Sequence, residues 1–212
     1  LAGATSSGKT TVAGWVLTTV PDNKRTYTIE NGSRELALVR EKDGRVTNSV
    51  IHTLTRDSGQ RVSNVVLMGI GEPLDNYDNV VAFLNRVTDQ EGLRISPRNI
   101  SVSTCGIVPK IAQFMQDAPH VTLSISLHAH DDETRSSLMP INKVYPIDSV
   151  IAAAKEYADK TGRRVVFEYA LIGGVNASLA DADALAKKLR GILCHVNLIP
   201  LNPVPERGLN GV

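Results

Sequence analysis

Cysteine is nearly absent: the 212 residues hold two, Cys105 and Cys194, far apart in the chain. Such a pair makes no disulfide framework and no Cys-x-x-Cys metal motif, and its sparseness implies a reducing, cytoplasmic setting. Aromatic residues are scarce too, with one Trp, three Phe and five Tyr, so a core must rest on Val, Ile, Leu and Ala. No apolar run nears the roughly 18–20 residues that a membrane-spanning helix needs. The start carries no secretory-leader pattern. Charge of one sign is not in excess. The net charge is +1, and residues 1–60 carry 8 Lys/Arg against 6 Asp/Glu while residues 61–212 carry 15 against 16. That balance supplies no bulk basic field for gripping phosphates and leaves only a local patch for such a role. The chain opens on Leu1 rather than Met, as a processed, trimmed or partial chain would.

What is present falls into two textures that meet near Arg56 to Arg61, which divides the chain into residues 1–58 and 59–212. The first opens with Gly3-Ala4-Thr5-Ser6-Ser7-Gly8-Lys9-Thr10, which fits G-x-x-x-x-G-K-[ST]. In such a loop, backbone N–H groups from Gly3, Ser7 and Gly8 and a helix N-terminus surround phosphate oxygens. Lys9 would hold a terminal phosphate of ATP, and Thr10 a Mg²⁺ ion. A helix is expected to about Thr19, then a break at Pro21-Asp22, a strand over Thr26 to Glu30 and a turn at Asn31-Gly32. Further strands are expected over Glu35 to Val39 and Ser49 to Thr55. Against this reading, only Leu1 and Ala2 precede the loop, and no strand ending in a Walker-B acid follows by residue 60. The segment resembles the secretion and pilus-assembly ATPases of the type II/IV kind in its phosphate loop, Thr28-Ile29-Glu30 and the charged run Arg34 to Val39.

The second texture is a regular alternation. Strands are expected over Val62 to Met68, Asn99 to Ser103, Val121 to Ser126, Arg164 to Leu171 and Cys194 to Ile199. Helices are expected over Asn79 to Thr88, Val108 to Gln116, Asp148 to Lys160 and Leu179 to Leu189, the last two stopped by Gly162 and Gly191. That order predicts βα units and a parallel sheet. Ligands of such sheets bind at the carboxyl ends of the strands. Four of the five strands end there in small or hydrogen-bonding residues: Gly69 to Pro73, Ser103 to Gly106, Ser126 to His128, and Pro200 to Pro203. Glycine lets a ligand approach the backbone. Glu72 can accept hydrogen bonds from an amine or hydroxyls, and Ser103, Ser126 and Asn202 can fix a polar cofactor. Ordinary turn chemistry would also place such residues at any one strand end.

Six motifs recur in one order: Gly69 to Leu74 (GIGEPL), Ser103 to Pro109 (STCGIVP), Ser126 to Ala129 (SLHA), Met139 to Lys143 (MPINK), Phe167 to Tyr169 (FEY), and Val196 to Pro200 with Asn202-Pro203. Together, over residues of about 59 to 209, they resemble the radical-SAM 23S rRNA and tRNA adenine-C2 methyltransferases. The resemblance implies a partial (β/α)6 barrel of parallel strands, S-adenosylmethionine (SAM) held by Gly71, Glu72, Ser103, Ser126, Leu127, His128 and Asn202, and RNA as partner. It also implies a Cys-x3-Cys-x2-Cys loop whose three thiolates hold a 4Fe-4S cluster, and a methyl-carrying cysteine near the C-terminus. Neither occurs in these 212 residues. Cys105 and Cys194 read as small packing residues.

Lesser candidates are weighed the same way. His128-Ala129-His130-Asp131-Asp132 places two His on one face if the strand continues, which is a thin case for a metal site. A His128 lining the SAM pocket and a His130 opening a solvated loop is the simpler reading. Glu168 within a strand needs a partner such as Arg164, or a raised pKa. The Arg163-Arg164 pair reads as a solvated strand start rather than an RNA clamp. The expectation is therefore a fragment of a radical-SAM RNA methyltransferase: SAM scaffolding with weak SAM binding, no catalytic residues of its own and no metal site. The alternatives are a phosphate-loop nucleotide-binding module and a non-catalytic chimera of βα pieces.

Overall fold

The computed structural model describes residues 62–68, 71–202, 208, 210 and 211. The phosphate-loop residues Gly3, Ser7, Gly8, Lys9 and Thr10, and every element expected before Arg61, lie outside the described residues. The chain divides into two compact units, Leu1–Val102 and Ser103–Val212.

In the first unit, strand β1 (Val65–Leu67) pairs in parallel with the start of β2 (Ile100–Thr104), Val65 opposite Ile100 and Leu67 opposite Val102. Between them, Pro73–Asn76 forms a 3-10 turn and Tyr77–Thr88 forms helix α1. Glu72 starts this turn: its carboxylate Oε1 accepts the Leu74 amide at 3.0 Å, while Pro73 supplies a preset φ at the first position. The helix therefore begins two residues ahead of the sequence expectation. Its buried residues Tyr77, Val80, Leu84 and Val87 fall on one helical stripe. They join Val65, Leu67, Leu74, Ile95, Ile100 and Val102 in the apolar interior.

The second unit continues with α2 (Val108–Asp117), β3 (Thr122–Ser126), α3 (Asp132–Leu138), a 3-10 turn over Pro140–Lys143, α4 (Ile147–Thr161), β4 (Val165–Leu171), α5 (Leu179–Leu189) and β5 (Cys194–Pro200). Strands β3, β4 and β5 lie side by side in parallel, with Ser126 opposite Glu168 and Glu168 opposite Asn197. Every described pairing is thus parallel, as the βα alternation requires. Side chains alternate across this sheet. Leu123, Ile125, Val165, Phe167 and Tyr169 make one fully apolar, buried face. Ser124, Ser126, Val166, Glu168 and Ala170 make the other.

Helix α4 buries Ile147, Val150, Ile151, Ala154, Tyr157 and Ala158, a spacing of three and four that marks one face. It packs on α2, where the rings of Phe114 and Tyr157 stack with centroids 6.4 Å apart. The Tyr157 hydroxyl donates to the Val121 carbonyl at 2.8 Å just ahead of β3. Gly162 closes the helix in the left-handed region at φ 64°, the conformation only glycine enters freely. Helix α5 opens with a reciprocal cap between Ser178 and Asp181. Among the described residues, no helix is long and apolar enough to cross a membrane.

Candidate functional site

In the first unit, the two expected cofactor contacts follow β1. Gly71 is exposed and Glu72 half-buried. One Glu72 oxygen is engaged in capping the Leu74 amide, so this carboxylate is held in a fixed orientation by its own turn.

In the second unit, the strand ends carry the remaining five. Ser103 is buried, at 7% exposure, one residue before the end of β2. Ser126 closes β3 and is half-buried; Leu127 is fully buried; His128 follows; Asn202 is exposed, two residues beyond β5. The strand does not continue through His128 and His130, because His128 adopts φ 57°, a left-handed turn that a non-glycine residue enters at a cost. The alternation that would put both imidazoles on one strand face is therefore broken. His130 lies instead between two carboxylates, with Nε2 3.0 Å from Asp131 and Nδ1 3.5 Å from Asp181. Among the described residues, no group of three or more His, Cys, Asp or Glu is placed to hold a metal ion.

His128 is pinned from several directions. Its amide and that of Leu127 both donate to the Glu168 carbonyl, at 3.2 and 3.0 Å. Its Nδ1 accepts the Ala170 amide at 3.0 Å. Burial, and secondarily the cation of Arg135, pull its pKa down to about 4. The imidazole is thus neutral, with the proton on Nε2.

Beside this segment lies a polar row that sequence reasoning saw only in part. Ser126, Glu168 and Asn197 stand in register across β3, β4 and β5. Asn197 Nδ2 donates to Glu168 Oε2 at 2.6 Å. Glu168, 4% exposed, therefore takes its partner from β5 rather than from the expected Arg164, which is exposed. The reason is register: Arg164 precedes β4, four residues from Glu168, whereas Asn197 sits directly across the ladder. Arg163 is not a solvated strand start either, since its Nη2 donates to Thr122 Oγ1 at 2.9 Å.

Three buried polar residues behind the row escaped the sequence reading as functional positions. Arg135, with no exposed surface, donates to the carbonyls of Cys105 at 2.7 Å, Ser126 at 3.3 Å and Tyr145 at 3.3 Å, and to Asn142 Oδ1 at 2.9 Å. Asn142 passes the link on, its Nδ2 donating to the Asp132 carboxylate at 2.8 Å. Asp132 also accepts the Ile147 amide at 2.8 Å, and these two bonds hold its carboxyl below the usual carboxylate range. Asn176 donates to the carbonyls of His128 and Ala170 at 2.7 and 2.8 Å and accepts the Ile172 amide at 2.7 Å. Asn142 lay inside the Met139–Lys143 motif, and Asn176 follows Gly173-Gly174, a turn signal. Nothing local marked Arg135.

Comparison with known proteins decides the family. The profile of the Radical SAM superfamily matches residues 29–186. The chain belongs to the radical SAM superfamily. The match begins at residue 29, inside the N-terminal segment. The family works with SAM and a 4Fe-4S cluster. Among relatives, the "Probable dual-specificity RNA methyltransferase RlmN" of Geobacillus kaustophilus (strain HTA426) is 54% identical over 151 residues, covering 71% of this chain and 41% of the relative. The protein of the same name from Clostridium botulinum (strain Eklund 17B / Type B) is 51% identical over 172 residues, covering 78% and 50%. The crystal structure of a radical SAM methyltransferase from Sphaerobacter thermophilus superposes with a TM-score of 0.72 at 46% identity, over 77% of this chain and 48% of that one. The chain spans two fifths to one half of the length of these relatives.

The donor set does not fit the family's cluster. Three thiolates converging on one point are required, and the sequence has two cysteines. Cys105 is tied by Arg135 to the carboxyl end of β3. Cys194 stands opposite Val165 at the amino end of β4, where burial pushes its thiol pKa up. The two thiols belong to opposite ends of parallel strands and share no site. The polar groups do suit a ligand rich in hydroxyls and amines: a serine hydroxyl, a carboxylate with one oxygen beyond its Asn197 bond, and a neutral imidazole carrying an N–H donor.

Proposed function

We propose that residues 59–212 are the SAM-holding part of a radical-SAM RNA adenine-C2 methyltransferase barrel, a partial (β/α)6 arrangement, and that this chain alone does not transfer methyl groups. Gly71, Glu72, Ser103, Ser126, Leu127, His128 and Asn202 are the residues assigned to SAM, and rRNA or tRNA is the assigned substrate class. The cluster would supply the redox chemistry of the intact family; the residues of this chain are assigned to binding and orienting SAM and to no step beyond that. The observation that carries the reading is a polar row across the parallel sheet, from Ser126 at the end of β3 through Glu168 and Asn197 in the middle of β4 and β5, together with two cysteines at opposite strand ends.

Anaerobic reconstitution with iron and sulfide tests the negative half. The expected product shows no stable 4Fe-4S absorbance, and a clear four-iron chromophore would overturn it. Titration calorimetry with SAM tests the positive half. Weak binding that is lost in Ser126→Ala is expected. No heat at millimolar SAM would sink the assignment of these residues.

A further inference from the structure

We propose that Arg135 and Asn176 are positioning residues that hold the Ser126–His128 segment in its ligand-binding geometry. The proposal rests on the cofactor reading above. Arg135 carries a guanidinium into an interior position where no part of the residue is exposed, and among the described residues its link to a carboxylate, Asp132, runs through Asn142 rather than by a direct ion pair. Burying a cation this way is costly, and well-packed apolar residues commonly replace buried charges without loss of stability. What the guanidinium gains is reach. Its planar fork spans acceptors in three places at once: the Cys105 carbonyl just past β2, the Ser126 carbonyl closing β3, and the Asn142 side chain with the Tyr145 carbonyl ahead of α4. Gly106 leaves room for it, since a Cβ there would lie 3.4 Å from Arg135 Nη2 and 3.0 Å from Val150 Cγ2.

Asn176 does the corresponding work from the other side. It is 1% exposed, and its amide joins the carbonyl of His128 to the carbonyl of Ala170 and the amide of Ile172. Its own carbonyl accepts the Tyr169 hydroxyl at 2.8 Å. The left-handed turn at His128 is a strained conformation that persists only where its surroundings over-determine it. Ser126 is gripped at its carbonyl by one polar residue and His128 at its carbonyl by the other. Neither Arg135 nor Asn176 needs to touch a ligand. They set where the Ser126 hydroxyl and the His128 ring stand.

A purely structural role predicts loss of stability alone, and the test separates the two. Binding of S-adenosylhomocysteine to the 212-residue chain is measured by calorimetry for wild type, Arg135→Lys, Asn176→Ser and Tyr157→Phe. Urea melts and the ring signals of His128 by nuclear magnetic resonance accompany each. Tyr157→Phe removes a buried hydrogen bond away from the segment and serves as the stability control. Arg135→Lys and Asn176→Ser are each expected to weaken binding at least tenfold and to shift the His128 ring signals, while Tyr157→Phe lowers the urea midpoint with binding unchanged. Binding within twofold of wild type in both segment variants, at a midpoint no higher than that of Tyr157→Phe, would overturn the proposal. If wild type binds neither S-adenosylhomocysteine nor SAM, the cofactor reading fails on its own. The positioning role is then decided by the ring of His128: unchanged signals in both folded variants refute it, and displaced signals sustain it.

Discussion

The backbone amide of Ala170 donates to His128 Nδ1 at 3.0 Å, so the fourth strand fixes both the orientation and the tautomer of a ring on the loop after the third. Protonating that nitrogen would break the bond and place a cation beside Arg135.

A pH dependence follows. The His128 pKa falls from an ordinary 6.5 to about 4 in the folded chain. Between those values the unfolded chain binds a proton that the folded chain refuses, so stability is full above pH 6.5 and is lost as pH falls toward 4. The total loss is about 3 kcal/mol, at about 1.4 kcal/mol per pH unit. Urea denaturation from pH 7 to 4 should show this slope in wild type and a shallower one in His128→Gln.

The Asn197–Glu168 bond makes a second prediction. Asn197→Ala removes the donor from a buried carboxylate and should cost roughly 1–3 kcal/mol at neutral pH. Asn197→Asp places two carboxyl groups within hydrogen-bond distance and should cost more, with part of the loss recovered as pH is lowered and the pair shares a proton. Urea midpoints at pH 7 and 5 distinguish the two variants. Equal losses at both pH values in Asn197→Asp would contradict the like-charge account.

Gly106 is held at φ +101°, and a Cβ there would meet Val150 at 3.0 Å. Gly106→Ala should therefore destabilise by about 1–3 kcal/mol. Adding Val150→Ala removes the steric contact but not the backbone strain, so the double variant should lose less than the two single losses combined. Thermal or urea melts of the four-member cycle read this directly.

Tyr157→Phe leaves the ring stack with Phe114 in place and removes the donor to Val121. The expected cost is about 1–2 kcal/mol, measured by urea midpoint.

The strands and the longer helices were legible because the chain alternates β-branched runs with amphipathic stretches. Helix α5 spans the same Leu179–Leu189 in both readings, and Gly162 stops α4 as expected. Helix α3 was not legible. Its seven residues, DETRSSL, contain a single apolar side chain and show no helical period. What marks its start is the Asp131 cap on the Thr134 amide at 2.8 Å, a signal only one residue long. Arg135 lies within this helix, and its burial is decided by carbonyls 9, 10 and 30 residues away. Glu168 was recognised as needing a partner, but the partner depended on the register of β4 against β5, which side-chain period alone does not reveal.

The second unit's sheet has two unlike sides. Phe167 and Glu168 are adjacent in sequence yet face opposite ways, one into an apolar interior and the other toward Asn197. Of the residues on the second face, Ser126 and Val166 are half-buried while Ser124 and Glu168 are buried. A change at Glu168 therefore has to keep Asn197 partnered, so the side of the strand that meets a ligand also answers to the fold.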